Sequence, residues 1–132
     1  MYAADAFTLS KKERIRSKKL INELFTGTGS RSMTAFPIRV VFLKREHIMN
    51  EPKAAMLVSV PKRYFKHAVD RNKVKRQIRE AFRRNKPILT DHLQTEGDTI
   101  AVAFIWLAAC IYPTAEVENR IVQLMKRISE RL

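Results

Sequence analysis

Residues 71–84 read RNKVKRQIREAFRR. Seven of these fourteen are Lys or Arg, and Glu80 is the one acid. At about 100° per residue, Arg71, Asn72, Lys75, Arg76, Arg79 and Arg83 share an arc of roughly 140°. Val74, Ile78, Ala81 and Phe82 occupy a neighbouring arc of roughly 100°. A helix built this way buries one flank and shows a comb of cations on the other. Guanidinium forks match phosphate oxygens in bidentate fashion, so the pattern predicts a polyanionic partner.

The charge around this stretch is concentrated. The chain has 132 residues and a net charge of +13. Residues 62–86 carry +9 and residues 11–19 carry +5, which leaves the remainder at −1. Two basic patches on a near-neutral body are the electrostatic footprint of a nucleic-acid binder. The length suits one domain, here residues 1–132, and an apolar content of 45% supports a folded core. Cys110 is the single cysteine, so no internal disulfide can form and a reducing cytoplasm is expected. The longest apolar run, residues 100–112, is short of the ~20 residues that a membrane helix needs. No secretory pattern is read at the N-terminus.

Working outward, the basic helix is expected from Lys66 to about Asn85, with Pro87 beyond its end. Before it, residues 54–60 (AAMLVSV) form a continuous apolar run that suits a buried strand closed by Pro61. Residues 35–44 (AFPIRVVFLK) read as a strand, with Pro37 at an edge or near the start. A turn or hairpin is expected through 47–52. Residues 17–26 read as a first helix with Ser17 as cap, a Leu20, Ile21, Leu24, Phe25 stripe, and Gly27 as the stop. The GTGSRS stretch after it reads as a loop. Residues 1–16 are expected to be extended or partly disordered. Gly97-Asp98 marks a turn, and residues 99–107 read as a further strand. Thr114 is expected to cap a last helix whose buried face is Val117, Ile121, Leu124, Met125, Ile128 and Leu132. The sum is an α+β two-layer sandwich: about four strands, mostly antiparallel, with three helices in the order α-β-β-β-α-β-α.

Catalytic constellations are not found. His47, His67 and His92 are isolated from one another and from Cys110, short of the clustered ligands of a zinc site. The 13 carboxylates are scattered, whereas a two-metal nuclease needs several in one cleft. Three glycines leave no phosphate-cradling loop. Glu80 lies four residues from both Arg76 and Arg84 and is expected to pair with either. The chemistry reads as binding, with catalysis supplied by a partner.

Arg71-Asn72-x-x-Lys75-Arg76-x-x-Arg79-Glu80 resembles the signature of the bacterial ribonuclease P protein component. Val58-Ser59-Val60-Pro61-Lys62-Arg63 resembles the strand and basic turn before that helix, and His67-Ala68-Val69-Asp70 the helix entry. Leu9, Arg14, Leu20, Leu24 and Phe25 resemble the opening segment and first helix. The chain departs from the pattern in three places. Tyr64-Phe65-Lys66 makes the turn before the helix one residue longer, where Gly is common. Ile21 stands where an aromatic is common, and Arg39 stands at a polar-aromatic position.

The resemblance implies a protein subunit of a ribozyme that removes the 5′ leader of precursor tRNA. It implies a left-handed β-α-β crossover around the basic helix, against the usual hand. It places catalysis and Mg²⁺ in the partner RNA, with no metal held by the protein. The implied partners are ribonuclease P RNA and precursor tRNA, in a monomeric 1:1 complex, with neither DNA nor membrane. Arg71, Asn72, Lys75, Arg76, Arg79, Arg83, Lys62 and Arg63 are the RNA-binding candidates; Asn72 serves either as a contact or as a helix-positioning residue. Phe25, Phe36, Arg39 and Arg14 are the leader-binding candidates, with ordinary core packing as the other reading of both Phe residues. A leader is single-stranded, and stacking platforms beside positive grooves hold single strands. The competing classes are a ribosomal or other structured-RNA-binding protein and a DNA-binding regulator.

Overall fold

A computed structural model describes residues 13–27, 29–46, 52–93 and 98–132. Eight elements follow in order: α1 (Lys18–Thr26), β1 (Arg31–Ala35), β2 (Ile38–Glu46), β3 (Ala54–Ser59), α2 (Ala68–Asn85), α3 (Pro87–Thr90), β4 (Asp98–Trp106) and α4 (Thr114–Ser129). The strands form one sheet in the order β1-β2-β4-β3. β1 and β4 flank β2 antiparallel, and β3 lies parallel to β4. Two parallel neighbours need a long connection, and α2 with α3 supplies it.

Alternation along the strands sorts the core. Ile38, Val40, Phe42, Met56, Val58, Ile100, Val102, Phe104 and Trp106 face α2 and α4 and form the main core with Val74, Ile78, Phe82, Ile121 and Leu124. On the reverse face Val41, Ala101 and Ala103 pack with Leu24 of α1 and with Ile15. The helices therefore do not all lie on one side: α1 covers part of the opposite face. β4 is buried along most of its length because it sits inside the sheet with both faces covered.

Several local expectations change. The GTGSRS loop ends early, because Arg31–Ala35 is a strand that pairs with β2 across a tight Phe36-Pro37 turn whose peptide is cis. Pro37 thus sits between two strands rather than inside one. Pro87 starts a fourth, short helix, where its missing N–H costs nothing. Thr114 does not cap α4: Pro113 holds the cap position, and the Thr114 hydroxyl accepts from Gln77 Nε2 at 3.0 Å instead. Asp98 belongs to β4 and pairs with Lys44 at 3.4 Å. The turn or hairpin expected at 47–52 and the turn residue Gly97 fall largely outside the described residues. So does the opening of the chain, but residues 13–15 take part in the fold. Arg14 bridges Met56 in parallel, Ile15 N–H donates to Met56 O at 2.8 Å, and Glu13 meets Lys86 Nζ at 2.8 Å in a nearly buried ion pair.

Ser17 caps α1 as expected, accepting from Leu20 N–H. Gly27 ends it by a different route from a left-handed cap. Its φ is −71°, and its N–H donates to Glu23 O at 2.8 Å. A Cβ built there would lie 2.4 Å from that same carbonyl oxygen. Gly27→Ala is therefore expected to open the last turn of α1 and cost about 1–3 kcal/mol, the usual range for overpacking. Urea denaturation checks this; a change within error would mean that the helix end relaxes freely.

Candidate nucleic-acid interface

α2 displays its cations because its apolar flank is fixed first. Val74, Ile78 and Phe82 are fully buried, and Phe82 meets Phe104 edge-on with ring centroids 6.0 Å apart. Gln77 is buried beside them, its Nε2 donating to Tyr112 O and Thr114 Oγ1, both at 3.0 Å. Its place about 40° from Ala81 could have flagged it, but a Gln next to an apolar arc reads as solvent-facing in sequence. Asn72, Lys73, Arg76 and Arg84 are exposed, and Arg71, Lys75, Arg79 and Arg83 are half-buried.

The cations differ in what they do. Arg71 Nη1 donates to Phe65 O at 2.7 Å and braces the turn before the helix. Asn72 makes no side-chain hydrogen bond among the described residues; the helix cap is His67. Glu80 pairs with Arg83, three residues on, rather than with Arg76 or Arg84. Arg83 Nε donates to Glu80 Oε2 at 2.9 Å and Nη2 to Oε1, a bidentate fork. That hydrogen bonding holds the Glu80 carboxyl below its ordinary value and the Arg83 guanidinium above its own. Arg84 turns to Glu118 at 3.4 Å.

Arg14 and Arg79 come together. Adjacent residues of an extended segment point to opposite faces. Ile15 enters the core under α1, so Arg14 and Arg16 turn towards α2. With Arg79, Met56, Leu57 and Val58 they line a cleft of about 190 Å³. Burial, and then the nearby Arg14 charge, push the Arg79 pKa down. None of the three guanidiniums has a carboxylate partner among the described residues.

On the sheet's other face lies a smaller pocket of about 110 Å³, lined by Leu24, Phe25, Ser30, Arg31, Ser32, Arg39 and Val41. Leu24 and Val41 supply its buried apolar lining, and Phe25 is 45% exposed. Phe36 is 59% exposed at the β1–β2 turn, where Arg120 Nε on α4 donates to its carbonyl at 3.0 Å. Both rings are thus open to a ligand rather than packed in a core. Phe25 and Arg39 share one pocket; Arg14 lies elsewhere, with the basic helix, and Phe36 is not among the pocket's lining residues. Lys62 and Arg63 are exposed in the turn before α2. Trp106 is fully buried.

The family model described as Ribonuclease P matches residues 9–129. The chain belongs to the ribonuclease P protein family. It is 38% identical over 130 residues to the "Ribonuclease P protein component" of Porphyromonas gingivalis strain ATCC 33277, covering 98% of this chain and 92% of that one. The component from strain W83 of the same organism matches equally. The fold resembles the Staphylococcus aureus RNase P protein (TM-score 0.67, 20% identity, 88% of this chain and 94% of that one). It also resembles the RNase P protein of Thermotoga maritima (TM-score 0.66, 23% identity, 87% and 96%).

As a member of this family the protein is a subunit of ribonuclease P, the ribonucleoprotein endoribonuclease of tRNA 5′ maturation, and ribonuclease P RNA is its partner. Among the described residues no helix is long and apolar enough to cross a membrane, and no three His, Cys, Asp or Glu side chains gather as a metal site.

Proposed function

We propose that the protein uses two surfaces on opposite faces of its sheet. The face that carries α2 grips ribonuclease P RNA: Arg76, Lys75, Arg79 and Arg83 with Asn72 along the helix, Lys62 and Arg63 in the turn before it, and Arg14 beside Arg79. Arg71 braces the turn and presents its remaining N–H groups. The reverse face holds the single-stranded 5′ leader of precursor tRNA, with Phe25 as stacking platform and Arg39 as phosphate contact, and Phe36 is a second platform at the hairpin tip. The observation that carries this reading is the convergence of Arg14, Arg16 and Arg79 without a carboxylate partner among the described residues, because like charges gathered beside Met56, Leu57 and Val58 suit an anionic ligand. Mg²⁺ and the hydrolysis belong to the RNA, whose phosphates supply ligands; among the described residues no acidic side chains gather as a metal site. The complex is 1:1 and cytoplasmic; the exposed, unpaired Cys110 suits a reducing compartment.

The test is reconstitution. Protein alone leaves precursor tRNA intact, and adding ribonuclease P RNA gives 5′ cleavage at low Mg²⁺ faster than RNA alone. Cleavage by the protein without RNA would overturn the assignment. Arg83→Gln refines the test. Losing this cation is expected to weaken RNA binding and flatten the salt dependence of affinity by about 0.7–0.9. A salt titration of RNA binding checks it, and an unchanged slope would remove Arg83 from the phosphate contacts.

A further inference from the structure

The turn between β3 and α2 carries a flat surface whose chemistry differs from that of the helix cations. Tyr64 N–H donates to Pro61 O at 3.1 Å and closes the turn, and the Tyr64 ring packs on the main core. The next side chain, Phe65, is 7% exposed and plugs that core, while Arg71 holds the Phe65 carbonyl from the helix side. The turn is therefore fixed at both ends. On it the Arg63 guanidinium lies over the Tyr64 ring, 4.8 Å from its centroid, with Nη2 reaching Tyr64 Oη at 3.4 Å. Arg63 itself is exposed. No Asp or Glu occurs between Glu51 and Asp70, and Arg63 has no carboxylate partner among the described residues.

We infer that Arg63 and Tyr64 form a stacking plate for an unpaired RNA base, a deeper reading of the RNA-binding function proposed above. The guanidinium sits over the ring, and Arg63 remains exposed to solvent. Nucleic-acid bases stack on such planes and on aromatic rings. Because Arg63 already rests on Tyr64, less rotamer freedom is left to lose on binding. Lys62 and Lys66, exposed on either side, are placed to meet the phosphates that flank a stacked base.

The experiment compares the full-length protein's affinity for a short oligoadenylate RNA with that for a ribose-phosphate strand of equal length without bases. Arg63→Lys keeps the charge and loses the plane. It is expected to weaken oligoadenylate binding about fivefold or more, the lower end for one stacked base, to weaken abasic binding less than that, and to keep the salt slope. Tyr64→Leu is expected to do the same while keeping the core contact. An Arg63→Lys protein that binds oligoadenylate as well as wild type, or that loses equally on both strands, overturns the plate. Wild type that holds neither strand removes the underlying RNA-binding reading, and the plate with it.

Discussion

An Arg79→Glu protein is expected to bind ribonuclease P RNA about 10- to 100-fold more weakly, the range for losing a charge-assisted hydrogen bond or two. The free protein is expected to be as stable as wild type or slightly more so. The two effects have opposite signs for one reason. Arg79 is half-buried beside Arg14 with no carboxylate partner among the described residues, so a Glu there meets a cation instead of repelling one. The gain to the free protein is limited because Arg14 is exposed and solvent screens the pair. On RNA the same pairing removes Arg14 along with Arg79, so the salt dependence should flatten by about two contacts, roughly 1.4–1.8 in slope. Filter binding across salt concentrations, with thermal melts of the free protein, measures both. Weakened binding that came with a comparable loss of stability would show that Arg79 serves the fold, not the RNA.

Phe82→Ala should have the largest effect on stability. The side chain is fully buried and meets Phe104 edge-to-face in the core beneath α2. Truncation of a buried Phe costs about 3–5 kcal/mol, a large share of the ~5–15 kcal/mol of a whole domain. The urea midpoint should fall by about 1–3 M with an unchanged slope. The substitution leaves every cation in place, so folded protein should keep its RNA affinity under native conditions. A midpoint near wild type would mean that α2 does not depend on this anchor.

How much of this could be read beforehand varied with the range of the interactions. α2 ends at the residue expected and begins two residues later than expected, because a long phased pattern with a Pro just beyond is a local signal. α4 buries Val117, Ile121, Leu124, Met125 and Ile128 of the face expected of it, whereas Leu132 lies beyond the helix end and packs half-buried on the core. β1 was hidden because Arg31–Ala35 has little apolar character and is a strand only through its pairing with β2. Glu80's partner was misjudged because i+3 and i+4 partners compete on one helix face, and side-chain conformation decides between them. Phe25 was legible as part of an apolar stripe, but not its exposure, since α1 covers only part of its sheet face.

The amino-acid order alone determined the family, the helix that carries the cations and the flank that buries it, because these are matters of residue type and spacing along one element. Only the tertiary structure decided that β4 enters between β2 and β3, that Arg14 crosses from the opening segment to Arg79, and that the Phe25–Arg39 pocket lies on the opposite face. Those placements come from strand pairing and from which side of the sheet each segment covers. Contacts between residues dozens of positions apart set both, and no local pattern encodes them.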